Sequence, residues 1–71
     1  MKVGSYVKHF LYRNRGEKIY RYGIVLEIIN IPRPPLASIF WHTVPNNFYI
    51  NKDFKYEKIK IQLLELISEP R

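Results

Sequence analysis

Short apolar and aromatic runs recur along the chain between turn residues, and their period is mostly two. Tyr6-Val7-Lys8-His9-Phe10-Leu11-Tyr12 is rich in branched and aromatic residues and reads as a first strand. Arg13-Asn14-Arg15-Gly16-Glu17-Lys18 interrupts it, and Asn-x-Gly supplies residues that tolerate a left-handed backbone, so a tight loop is predicted there. A longer extended run follows from Ile19 to Asn30. In it Ile24, Leu26 and Ile28 share one side and Val25, Glu27 and Ile29 the other. The first set is wholly apolar, which predicts that it faces the core. Gly23 within this run points to a bulge or sharp bend.

Ile31-Pro32-Arg33-Pro34-Pro35 lacks the backbone donors a ladder needs and predicts a stiff connector. A third strand is expected over Leu36–Thr43, where Ala37, Ile39 and Trp41 alternate with Ser38, Phe40 and His42. Pro45-Asn46-Asn47 marks a turn, and Phe48–Lys55 reads as a long loop or an irregular short strand. The last segment has two readings. Lys58-Ile59-Lys60-Ile61 alternates like a strand, whereas Ile59, Leu63, Leu66 and Ile67 also share a helical face. The extended context and Pro70 favour a strand at Tyr56–Lys60, a single turn near Ile61–Leu63 and a strand at Leu64–Ser68. Five short strands with one helical turn near the C-terminus predict a single all-β domain over residues 1–71, a small antiparallel barrel. Its expected core is Val7, Ile24, Leu26, Ile28, Ile39, Leu64 and Leu66.

The order of these segments resembles the small Src-homology-3-like barrels encoded by tailed bacteriophages. The resemblance is carried by Val3-Gly4-Ser5-Tyr6-Val7-Lys8, Tyr22-Gly23-Ile24-Val25-Leu26-Glu27-Ile28, Ala37-Ser38-Ile39-Phe40-Trp41 and Leu64-Glu65-Leu66-Ile67. Ser5 stands where those barrels commonly carry Asp. The resemblance covers most of the chain and implies an Src-homology-3-like fold and a phage origin. It leaves function open, because its motifs are core positions. Gly23-Ile24-Val25-Leu26-Glu27-Ile28 is also similar to the Gly-x-Val-x-x-Ile motif of ribosome-associated barrels that bind RNA, with Lys18 and Arg21 as partial counterparts of its basic half.

Composition narrows the function classes. The 71 residues hold 12 Lys plus Arg against 6 Asp plus Glu, a net charge of +6, and no cysteine. Neither a disulfide nor a structural zinc site is expected, and the core alone must hold the chain. No apolar run approaches the ~20 residues of a membrane span, and the opening residues do not read as a signal peptide. No membrane association is expected, and the phage resemblance places the protein in the host cytoplasm or the virion.

Motifs for chemistry are absent. Gly4, Gly16 and Gly23 are isolated, with no Gly-Lys-Ser/Thr after them. Asp53 and Glu57 read as solvated charges among lysines, and His9 and His42 as strand histidines without a nucleophile beside them. No catalytic residue, cofactor or metal is expected. Binding is the class that remains. Between Lys8 and Tyr22, the cations Lys8, Arg13, Arg15, Lys18 and Arg21 face Glu17 alone, with Tyr12, Tyr20 and Tyr22 interleaved. Arginine pairs with phosphate and tyrosine stacks on bases, so this basic, Tyr-rich first loop suits a nucleic acid or nucleoprotein, and equally an acidic protein surface. Arg33, Trp41, Phe48 and Tyr49 are expected to border a second contact surface beside the proline-rich loop. Such a surface suits a protein partner, either in a phage particle or in the host.

Overall fold

A computed structural model describes residues 1–31, 34–45 and 55–71. The chain forms β1 (Tyr6–Asn14), β2 (Glu17–Ile29), β3 (Leu36–Thr43), β4 (Tyr56–Lys60), a 3-10 turn at Ile61–Leu63, and β5 (Leu64–Ser68). The fold is all-β: one five-stranded antiparallel sheet in the order β4-β3-β2-β1-β5. The last three predicted strands and the helical turn lie where the alternation placed them. The helical reading of the final segment is set aside. The sheet is not closed, and β4 and β5 form its edges. The expected loop or strand around Phe48 lies outside the described residues, as do Pro32 and Arg33. Pro34 and Pro35 are exposed and belong to no strand.

The predicted loop between the first strands contracts to a hairpin turn. Asn14 pairs with Glu17, and the two residues between them, Arg15 (φ 51°) and Gly16 (φ 84°), both have a left-handed backbone. Positive φ at both central positions matches the twist of the flanking strands, which is the geometry favoured in two-residue hairpins. Much of the basic stretch is therefore strand, and its side chains are sorted onto two faces.

The core lies on the inner face and comprises Val7, Val25, Ala37, Ile39, Trp41, Ile59 and Leu64, so every strand contributes. Four residues expected there are not in it. Ile28 is partly buried and packs against the core, whereas Ile24, Leu26 and Leu66 are 36%, 46% and 47% exposed. The reason in β2 is its register. Gly23 pairs with Trp41 and Val25 with Ile39, but the ladder to β3 then slips between Val25 and Glu27 before Ile28 meets Ala37. The bulge exchanges the faces: odd-numbered residues point inward before it and Ile28 after it. An apolar set read straight across Leu26 therefore mixes two faces. Leu66 pairs with Val7 but sits on the edge strand, where no strand among the described residues lies on its other side.

Gly23 fulfils a requirement of packing as well as lying at a register shift. A Cβ there would stand 2.6 Å from both Ile39 Cγ2 and the Phe40 carbonyl oxygen, and 2.8 Å from Trp41 Cε3. Ser5 precedes β1 and is buried. Its hydroxyl accepts from the Lys2 N–H at 2.9 Å, while its carbonyl accepts from the Val25 N–H at 2.9 Å. A short hydroxyl side chain thus anchors the start of β1 to β2.

Candidate functional site

The outer face of the sheet carries the side chains that the inner face does not need. Along β2 the outward set is Lys18, Tyr20, Tyr22 and Ile24, and the register brings Arg13, Phe10, Lys8 and Tyr6 of β1 beside them. The hairpin therefore presents four successive rows: Arg13 with Lys18, Phe10 with Tyr20, Lys8 with Tyr22, and Tyr6 with Ile24. The last row continues through Phe40 of β3 to Tyr56 of β4. Glu17 pairs with Asn14 and points to the opposite side from Lys18, whereas Glu27, the other acid of β2, pairs with Ser38 beyond the bulge and shares the outer face with Phe40.

The rings of this face touch one another. Tyr6 stacks on Tyr22 at 6.2 Å between centroids and 14° between planes, and on His42 at 5.1 Å and 20°. Phe10 meets Tyr20 edge-on at 6.0 Å, and Phe40 meets Tyr56 at 5.2 Å. Lys8 holds its ammonium 4.4 Å from the centre of the Tyr20 ring, and Glu65 of β5 flanks the same Nζ at 3.5 Å. Cation, ring and carboxylate form one chain across β5, β1 and β2. Despite these contacts Phe10 remains 43% and Tyr56 63% exposed, an apolar surface that nothing among the described residues covers.

Of the residues singled out in the sequence, Lys8, Arg13, Lys18, Tyr20 and Tyr22 come together on this face, with Arg15 at the adjoining turn. Arg13 also reaches the Gly16 carbonyl at 3.4 Å. Tyr12 pairs with Ile19 on the other side because β1 slips register between Phe10 and Tyr12. Arg21 and Trp41 are not presented to a partner: they are 4% and 2% exposed. The Arg21 guanidinium lies 3.9 Å from the Trp41 ring centre and bonds Glu57 of β4 at 2.8 Å, and its Nε–H donates to His9 Nδ1 at 3.1 Å. Burial and Arg21 lower the His9 pKa below its ordinary 6.5, with Glu57 opposing them. A charge read from sequence as surface is thus a core group held by a ring, a carboxylate and an imidazole. Arg33, Phe48 and Tyr49 lie outside the described residues.

The sequence reading missed Tyr6, Phe10, Ile24, Phe40, Tyr56 and His42 as members of one surface. Their signal was present as strand alternation, but it becomes a patch only once the cross-strand register is known. Among the described residues no cluster of three or more His, Cys, Asp or Glu is placed to hold a metal, and no helix is long and apolar enough to cross a membrane. Comparison with known proteins returns no matching family model, no matching curated protein and no matching solved structure.

Proposed function

We propose that the chain is a non-catalytic binding module that docks a nucleic-acid polyanion on the outer face of the β1–β2 hairpin. The observation that carries this reading is the set of rows on that face, where Arg13, Lys18 and Lys8 alternate with aromatic side chains and Glu17 is turned away; Glu65 beside Lys8 and Glu27 beyond the bulge are acids of the same face. Cations at this spacing neutralise phosphates and release their counterions, and the net charge of +6 draws such a partner from a distance. The earlier expectation of a basic loop becomes a basic strand face, a more rigid platform.

The architecture we infer is an Src-homology-3-like barrel of the kind tailed phages encode. Its supports are the motif resemblance, a core to which all strands contribute, and edge strands β4 and β5 joined through a single 3-10 turn. A phage origin would place the protein in the host cytoplasm or the particle.

Binding of a labelled oligonucleotide followed by fluorescence anisotropy across a salt series tests the function. Micromolar affinity at low salt is expected, with log K falling as log salt rises. Replacing Lys8, Arg13 and Lys18 together by Gln should make the slope shallower by roughly two, at about 0.7 per phosphate contact of a single strand. Absence of binding at low salt contradicts the reading. A second reading, docking on an acidic protein of the particle or host, is favoured by the exposed Phe10, Ile24 and Tyr56. It predicts capture of one partner whose binding survives removal of nucleic acid by nuclease.

A further inference from the structure

We propose that the nucleic acid taken by this face is single-stranded, with bases stacking on Phe10, Tyr20 and Tyr22 while the backbone runs past Lys8, Lys18 and Arg13. The inference rests on the polyanion reading and names its substrate class. The height of the groups decides between strand forms. Charges and rings alternate on one pleated surface, in rows about 7 Å apart at twice the rise of a strand residue, so a ligand that meets the cations must also meet the rings. A duplex offers its phosphates outward and keeps its bases in the stack. Laid on this face, it would press a charged ridge onto Phe10 and Ile24, which are exposed and apolar. An unpaired strand offers both kinds of surface, phosphates to the ammonium and guanidinium groups and base faces to the rings.

The electrostatics favour the same occupant. Lys8 already holds its charge over Tyr20, with Glu65 beside it. A phosphate arriving above that row replaces the Glu65 carboxylate next to Nζ and draws the ammonium from over the ring toward its rim, which frees the Tyr20 face for a base. The flanking Tyr6, Tyr22 and His42 rings are already near-parallel, which fixes their planes before a base arrives. Preset planes reduce the ordering cost of binding.

Fluorescence anisotropy with the intact chain tests the proposal, using four probes of equal phosphate count: single-stranded DNA, single-stranded RNA, duplex DNA, and an abasic single strand that keeps the phosphates and lacks bases. Both natural single strands should bind about tenfold or more tighter than the duplex and the abasic strand, and the DNA and RNA arms show which sugar is preferred. Tyr20→Leu, which retains an apolar strand side chain, should lower single-strand affinity about tenfold, the scale of one base–aromatic stack, and leave abasic binding unchanged. Equal binding of the abasic strand, or a duplex bound as tightly as single strands, overturns this proposal while leaving the polyanion reading intact. No binding to any of the four overturns both.

Discussion

His9 sits where protonation opposes the fold. Its Nδ1 accepts from Arg21 Nε, so the neutral ring carries its proton on Nε2, and the half-buried imidazole packs 5.9 Å from the Trp41 ring. Burial and the Arg21 charge lower its pKa from 6.5 despite the Glu57 carboxylate. The unfolded chain therefore takes up a proton before the folded one does. The contribution of His9 to stability is intact above about pH 6.5 and is lost as pH falls toward the lower folded-state value. Thermal unfolding should move to lower temperature between about pH 7 and pH 5.5, and His9→Asn, which keeps an acceptor, should flatten that dependence. The same slope in both proteins would refute this role for His9. Arg21 could not be assigned its place from sequence, because an arginine among tyrosines reads as surface. Its burial depends on Glu57, 36 residues further along the chain and two strands away in the sheet, and on the Trp41 face.

Among the elements, β2 holds both the packing constraint and half of the outer rows. Gly23 lets β2 lie against the Ile39 side chain and the Phe40 carbonyl where any Cβ would collide. Gly23→Ala should cost about 3 kcal/mol, the upper end of overpacking penalties. That is a large share of the roughly 4–10 kcal/mol expected for a domain of this size, and chemical denaturation measures it. A loss below about 0.5 kcal/mol, typical of exposed positions, would contradict the close approach. Strand boundaries were legible wherever alternation and turn residues agreed, as in Leu36–Thr43, Tyr56–Lys60 and Leu64–Ser68. Facing was not legible in β2. The bulge at Leu26 changes parity in mid-strand, and a bulge is a property of the pairing with β3.

For the whole molecule, the two faces of one sheet differ in what they carry. The inner face gathers the core from all five strands, and the outer face keeps Lys8, Arg13 and Lys18 among aromatic rings. The basic and aromatic residues of the candidate site were visible in the sequence as a cluster, and five of them share the face. The wider aromatic row Tyr6–Ile24–Phe40–Tyr56 draws on four strands and follows only from the assembled sheet. An amide NMR titration of the intact chain with a short single-stranded oligonucleotide shows where on the sheet the partner sits. Shifts are predicted at Lys8, Phe10, Arg13, Lys18, Tyr20 and Tyr22, with the far edge of the sheet at Lys58, Ile59 and Lys60 of β4 unmoved. Shifts confined to that far edge, or none on the outer face of the hairpin, would contradict the account.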